Sequence, residues 1–182
     1  THTHRSSSAA SDVYKRQIET LYENGYSLTT PPFLMNREAY EGVVDLTDFE
    51  EVMYKIEDHD LYLIATSEHP ITARFKNEII ELKDGPLKFA GISTNFRREV
   101  GAHGISDRGI WRVHQFSKVE QVIICKPEDS KEMHNEILEN ATLIFKKLEI
   151  PFRVIDICTG DIGTVAARKF DIEAWICLLY TS

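Results

Sequence analysis

One predicted strand, from Trp111 to Cys125, carries residue types that commonly bind ligands at every second position. The residues at the alternate positions are Arg112, His114, Phe116, Lys118 and Glu120. Side chains two positions apart in a β-strand lie on the same face. The pattern therefore predicts a face that presents cations, an aromatic ring and a carboxylate in one line.

The opposite face of this strand is apolar and predicts a packed side. Its residues are Trp111, Val113, Val119 and Ile123. From Arg112 to Glu120 the polar face would span roughly 27 Å at about 3.4 Å per residue, which is long enough for an extended two-part ligand. The alternative is an amphipathic strand whose polar face only meets water.

A second predicted strand, Leu87 to Phe96, precedes the first and is joined to it by a loop containing Gly101, Gly104 and Gly109. Two strands around such a loop predict an antiparallel hairpin. Arg97 and Glu99 follow the earlier strand and share a face by the same alternation.

The chemistry of these side chains favours a nucleotide. The planar guanidinium of Arg97 offers paired donors that match phosphate oxygens, and the Phe116 ring offers a stacking surface for a purine. Neither GxxxxGK[ST] nor GxGxxG occurs in the chain, so the site would be neither a P-loop nor a dinucleotide fold.

The overall charge argues against a general nucleic-acid coat, since the net charge is -8. Residues 97–118 are nevertheless locally basic, with five Arg or Lys against two acidic residues. This island suggests a small anionic ligand. The alternative, which the charge alone supports equally well, is a solvated surface hairpin. The three cysteines, an odd number without a CxxC pair, fit a cytoplasmic protein. We expect no protein-held zinc, no metal ligands among the site residues of this chain and no membrane segment.

The remaining pattern predicts an α+β fold with an antiparallel sheet flanked by helices. A helix should end at Asn24 before Gly25, and a short strand should cover Tyr26–Thr30. The other predicted elements are a strand at Leu61–Ala65, a helix from Thr66 to Leu82, a helix opening at Pro127–Ser130, and strands at Phe152–Ile157 and Asp171–Ile176.

Both ends of the chain look foreign to this pattern. Residues 1–17 are polar and serine-rich without periodicity, and residues 177–182 follow Ile176 abruptly. We interpret both as non-native or disordered tails and residues 18–176 as one partial, truncated domain.

The Phe96-Arg97-Arg98-Glu99 stretch is followed, after the glycine loop, by Arg112-Val113-His114-Gln115-Phe116. These two segments resemble motif 2 of the class II aminoacyl-tRNA synthetases, in particular of the seryl members. The extension of that segment through Lys118-Val119-Glu120 looks specifically seryl. Thr66-Ser67-Glu68 resembles the serine-binding TxE of that family, and Gly25 with Pro32 resembles motif 1. The resemblance covers about residues 18–176.

The resemblance implies ATP-dependent activation of L-serine and its transfer to tRNA(Ser). Arg97 and Glu99 would be catalytic. The implied ATP-binding residues are Arg97, Arg98, Glu99, Arg112, Val113 and Phe116, and the implied serine-binding residues are Thr66, Ser67, Glu68, Arg97 and Glu120. Motif 1 implies a homodimer through the segment from Gly25 to Pro32.

Glu120 is the expected serine discriminator. It lies four residues beyond Phe116, roughly 14 Å at about 3.4 Å per residue, which suits the step from base to amino acid. A cationic partner for this carboxylate is not evident from the sequence, so a substrate hydroxyl would supply the missing donor. The alternative is a surface pair with Lys118 or Arg112.

Parts of the family pattern are not found in this sequence. The Glu-rich segment that holds Mg²⁺, motif 3 and the tRNA-binding arm have no counterpart here. We therefore expect the chain to be inactive alone. Two other functions remain open: another class II synthetase, such as a prolyl enzyme, and a non-catalytic synthetase-like regulatory module.

Overall fold

The computed structural model describes residues 2–44, 50–99, 112–163 and 165–175. The chain divides into two compact units, Thr1–Lys126 and Pro127–Ser182.

The first unit contains the hairpin and the segments that pack on it. Its elements in chain order are α1 (His2–Glu23), β1 (Ser27–Thr29), β2 (Leu34–Met35), α2 (Arg37–Glu41), β3 (Tyr62–Leu63), α3 (Glu68–Ala73), β4 (Leu87–Phe96) and β5 (Gln115–Ile124). A single 3₁₀ turn covers Glu50–Val52.

The predicted hairpin is confirmed, because β4 and β5 pair antiparallel over ten residues each, from Leu87↔Ile124 to Phe96↔Gln115. β1 adds to the free edge of β4 in parallel, giving the sheet order β1-β4-β5. β2 and β3 form a separate antiparallel pair. The α+β class is confirmed, with β1–β4 as a parallel pairing within the sheet.

One face of the hairpin packs against α1. Leu21, Tyr26 and Ala90 are buried there, and Val119 and Ile123 pack against them. The predicted apolar face of β5 is thus confirmed at these two positions. Val113 is not part of it, because 41% of its surface is exposed, and Trp111 lies outside the described residues.

A second apolar cluster includes residues of β2, α2 and β3. It contains Met35, Tyr40, Met53, Tyr62 and Ile64. The Tyr62 hydroxyl is 2.8 Å from Glu50 Oε1, and Arg37 Nη1 lies 3.2 Å from the same oxygen. These contacts tie the 3₁₀ turn to β3.

The second unit is a helix with a two-stranded sheet. Pro127–Asp129 form a 3₁₀ turn that leads into α4 (Ser130–Lys147), and β6 (Phe152–Asp156) pairs antiparallel with β7 (Phe170–Ala174). Phe145 contacts Phe152 at 5.6 Å between ring centroids. The helix and both strands lie where the sequence predicted them.

The boundaries of two helices differ from the prediction. α3 ends at Ala73 instead of continuing to Leu82, since the chain turns and Asn77 takes the left-handed conformation at φ 62°, which interrupts a helix. α1 begins at His2, so residues 2–17 are helical. A helix extends readily from a packed end because nucleation is the costly step. That residues 1–17 are non-native stays a prediction.

Candidate functional site

The face of the hairpin opposite α1 carries the polar side chains. Cross-strand partners in the register share a face, and the relevant partners are Gly91↔Glu120, Ser93↔Lys118 and Asn95↔Phe116. We call the face with these six residues the site face. The strand begins only at Gln115, so Arg112 and His114 precede it, and the prediction that they lie within the strand is wrong.

The turn Ala65–Ser67 before α3 lies directly on the site face. Thr66 is 4% exposed, and its hydroxyl donates to Glu120 Oε2 at 3.3 Å. The same oxygen of Thr66 accepts from Lys118 Nζ at 2.9 Å and lies 3.4 Å from the Glu68 backbone nitrogen. This junction brings the TxE segment and the end of motif 2 together.

Lys118 forms an ion pair with Glu120. The expectation that Glu120 has no cationic partner is therefore wrong, and the pairing with Lys118 considered as its alternative is the one present. The two side chains are two positions apart on one strand, which places them on one face. Both are partly buried, at 31% and 25% side-chain exposure, so the pair is shielded more than a fully exposed one.

Arg97 links the turn to the hairpin. Its backbone N–H donates to His114 O at 3.0 Å, which continues the ladder beyond β4. Its Nε lies 3.3 Å from Ala65 O, and its guanidinium carbon lies 5.4 Å from the centroid of the Phe116 ring. The predicted phosphate-binding and purine-stacking side chains are thus adjacent, and Arg97 covers one face of the ring.

Glu99 and Arg112 form a second ion pair, with Arg112 Nη1 2.7 Å from Glu99 Oε2. Glu99 has a left-handed backbone at φ 53°, so it does not continue the alternation that was predicted to align it with Arg97. The Arg98 side chain is exposed, and its backbone N–H donates to Val52 O at 2.9 Å. This contact joins the 3₁₀ turn to motif 2.

Tyr54 contacts the side chain of His114. The Tyr54 hydroxyl and His114 Nδ1 form a hydrogen bond. A hydroxyl can serve as donor or acceptor, so either imidazole tautomer suits this contact. Tyr54 thereby positions the start of β5, a role for which the sequence offered no periodic signal.

Ser67 was predicted to contact serine, but its side chain points into the packing. The residue is fully buried, and its hydroxyl lies over Gly91 of β4. The hydroxyl makes no hydrogen bond within the described residues, including none to the helix it precedes. Ser67 therefore packs beneath the turn, while Thr66 contacts the polar side chains.

Two ionisable groups of this turn have shifted pKa values. Desolvation raises the pKa of Glu68, the nearby Glu120 carboxylate raises it further, and Lys118 opposes the shift. Burial lowers the pKa of His69 to about 4, with the positive charges of Lys118 and Arg97 acting in the same direction. His69 is 6% exposed and meets the Tyr40 ring edge-on. It is therefore neutral near pH 7.

The glycine-rich loop, with Gly101, Gly104, Arg108 and Gly109, lies outside the described residues. Among the residues that are described, no group of three or more His, Cys, Asp or Glu side chains is arranged to hold a metal ion. The helices in this part of the chain include none long and apolar enough to cross a membrane.

Comparison with known proteins identifies the family. The family model of the tRNA synthetase class II core domain (G, H, P, S and T) matches residues 51–181. The chain belongs to this family. The class II resemblance of motif 2 is thereby confirmed.

Curated relatives and solved structures that are similar to this synthetase core chain include seryl enzymes. The serine–tRNA ligase of Methanocella arvoryzae is 60% identical over 159 residues, which is 87% of this chain and 37% of that protein. The seryl-tRNA synthetase of Pyrococcus horikoshii, solved with ATP, is 50% identical with a TM-score of 0.83 over 87% of this chain and 36% of its own.

Another solved structure that is similar to this chain is also a seryl enzyme. The cytoplasmic serine–tRNA ligase of Naegleria fowleri, solved with AMP, is 42% identical with a TM-score of 0.83, over 89% of this chain and 38% of its own. The chain thus spans a little more than a third of the length of the proteins it matches. The seryl-specific part of the resemblance agrees with these relatives.

Proposed function

We propose that this chain is the amino-acid-activating part of a longer cytoplasmic serine–tRNA ligase. That enzyme would convert L-serine and ATP to seryl-adenylate and pyrophosphate, then transfer the seryl group to tRNA(Ser). The observation that carries the proposal is the junction of Thr66, Lys118 and Glu120 on the site face, at which two separate seryl-like motifs meet.

The first reaction needs positioning more than covalent catalysis. A serine carboxylate oxygen attacks the α-phosphorus of ATP, a new P–O bond forms, and the bond to pyrophosphate breaks. Arg97 would bind the α-phosphate together with the serine carboxylate, since its fork of donors suits both groups. Its contact with Ala65 O holds it at the edge of the turn that would bind the amino acid.

The adenine would bind beside Arg97. Phe116 would stack on the base with the ring face that the guanidinium leaves open, and the Val113 backbone and Glu99 would bind its polar edge. Val113 is exposed, and Glu99 is already held by Arg112. Arg98 and Arg112 would lie nearer the phosphates. ATP is therefore assigned to the exposed end of motif 2.

The serine would bind at the other end of the site face. Thr66 and Glu68 would hold its ammonium group, and Glu120 would accept a hydrogen bond from its hydroxyl. Lys118 now makes the contacts to Thr66 and Glu120 that these substrate groups would make. Serine binding would therefore rearrange the Lys118 side chain.

Two further parts of the proposal concern the whole enzyme. Mg²⁺ would assist pyrophosphate release, and the described residues contain no group of three or more His, Cys, Asp or Glu side chains that could hold it. The segment from Gly25 to Pro32 would form a homodimer surface. It includes β1 at the edge of its sheet, with Leu28 44% exposed, and light scattering of the full-length protein tests the dimer.

A chimera allows the proposal to be tested in an intact enzyme. The segment of 159 residues in this chain that matches the Methanocella arvoryzae ligase replaces the corresponding segment of that enzyme. We expect the chimera to catalyse ATP–pyrophosphate exchange with serine and the 182-residue chain alone to show none. Exchange with proline instead of serine would favour the prolyl alternative. Exchange with neither amino acid would favour the non-catalytic alternative.

A further inference from the structure

Gly91 occupies an unusual place in β4. It lies in the interior of a ten-residue strand, opposite Glu120 in the register. Glycine weakens a strand interior, and a common reason for its presence is the close approach of another part of the chain. The approaching segment is the turn that carries Thr66 and Ser67.

The space beside Gly91 is already filled. A Cβ built on this residue would lie 2.5 Å from Ser67 Oγ, 2.7 Å from Ile71 Cδ1 and 2.9 Å from Ser67 Cβ. All three distances are well below van der Waals contact. Any side chain at position 91 would therefore force a neighbour to move.

The clash cannot be relieved by side-chain rotation alone. Ser67 Oγ and Ile71 Cδ1 are chain ends that can rotate, but Ser67 Cβ is attached to the backbone. Ser67 and Ile71 are also buried, at 0% and 3% exposure, and packed interiors offer few vacant positions. An alanine at position 91 would thus displace the backbone of the turn away from the sheet.

Thr66 is the neighbour of Ser67 in this turn, and it contacts Glu120 and Lys118 at hydrogen-bond distances of 3.3 and 2.9 Å. We propose that Gly91 is a positioning residue that sets how closely Thr66 approaches Glu120, and so the dimensions of the serine subsite. This inference rests on the proposed function and adds a specificity role to a residue without a side chain.

The test uses the chimera and its Gly91→Ala variant. Displacing Thr66 should raise the KM for serine, lowering kcat/KM roughly 10- to 100-fold, the effect of misplacing a binding group by about 1 Å. The KM for ATP should rise less than that for serine. Phe116, which would stack on the adenine, lies on β5, although Arg97 contacts the displaced turn at Ala65 O. A wider subsite should also reduce the preference for serine over threonine.

A second background separates steric displacement from general damage. Ser67→Gly with Ile71→Val removes the three atoms that lie nearest to a Cβ at position 91. Adding Gly91→Ala to this background should leave the serine KM of the background nearly unchanged. The same comparison tests the inference if Gly91→Ala alone does not fold, because the variant should then fold in the background with Ser67→Gly and Ile71→Val.

Each outcome bears on the inference. A raised serine KM that is suppressed in the second background supports it. An unchanged serine KM in Gly91→Ala, an equal rise for ATP, or the same loss in both backgrounds overturns it while leaving the proposed function intact. A chimera with Gly91 that is inactive with serine overturns the proposed function, and with it this role.

Discussion

The hydroxyl of Thr66 donates to the carboxylate of Glu120 across 54 residues of sequence, at 3.3 Å. Thr66 belongs to the turn before α3, and Glu120 lies in the middle of β5. The contact joins the two segments that the motif resemblance assigns to serine. Four predictions concern this junction, its neighbours and the reaction assigned to it.

Glu120 should determine the choice of serine. In the chimera, Glu120→Ala should lower kcat/KM for serine activation roughly 10- to 100-fold, the effect of losing a hydrogen bond to a charged group. The ratio of serine to alanine activation should narrow as well, since alanine has no hydroxyl to lose. Glu120→Gln, which keeps an acceptor, should have a smaller effect.

A matched control separates recognition from loss of an ion pair. Glu81 also pairs with a lysine two residues away, Lys83, but on the exposed surface. Glu81→Ala should leave activation unchanged. If Glu120→Ala reduces serine and alanine activation equally, Glu120 serves the structure through Lys118 and does not discriminate.

Arg97 should require a guanidinium. Arg97→Ala in the chimera should reduce the rate of activation about 10²- to 10³-fold, as expected for loss of a preorganised charged contact. Arg97→Lys should recover little, because an ammonium cannot donate in a planar fork. Pyrophosphate exchange measures both, and near-normal turnover of the lysine variant would refute the assigned role.

Arg74 provides the control for Arg97. Its guanidinium also lies over an aromatic ring, that of Phe75, at 5.6 Å from the centroid. Arg74→Ala removes a comparable cation–ring contact outside the site face and should leave exchange unchanged.

His69 should make the free energy of unfolding of the first unit decrease in acid. Its folded-state pKa of about 4 lies below the unfolded value of about 6.5, so the unfolded chain binds the additional proton in this interval. Stability should therefore fall as pH is lowered from about 6.5 to 4, by on the order of 3 kcal/mol. Denaturant unfolding of the 182-residue chain at several pH values measures the slope.

Replacing His69 should remove that part of the pH dependence. His69→Gln cannot titrate in this range, so its stability should fall less steeply with acid than that of the original chain. His59 is exposed, and His59→Gln is the matched control that should retain the original slope. Equal slopes for the original chain and His69→Gln would contradict the burial effect.

The hairpin was predictable because its signal is local. Alternation over β5 and the composition of β4 are enough to identify two strands, and Val119 and Ile123 could be assigned to the core side. Arg112 and His114 were placed wrongly because alternation does not say where a strand begins. That boundary depends on contacts such as the one between Tyr54 and His114, which lie 60 positions apart.

The candidate site was predictable only in part because its key contacts are tertiary. The alternation of β5 placed Lys118 and Glu120 on the same face. It did not show whether the two side chains would pair with each other or remain open to a ligand. Gly91 carried a usable signal, a glycine inside a strand, yet the segment that approaches it could not be named. Ser67 was assigned to serine binding because it lies within the segment that resembles TxE, but its side chain packs on the sheet.

The most direct test of the account is amino-acid-dependent ATP–pyrophosphate exchange by the chimera. We predict exchange with serine that exceeds exchange with alanine, threonine or proline, and that is lost in Arg97→Ala. Exchange that is independent of serine, that prefers proline, or that persists without Arg97 would contradict the assignment of the site face to serine activation.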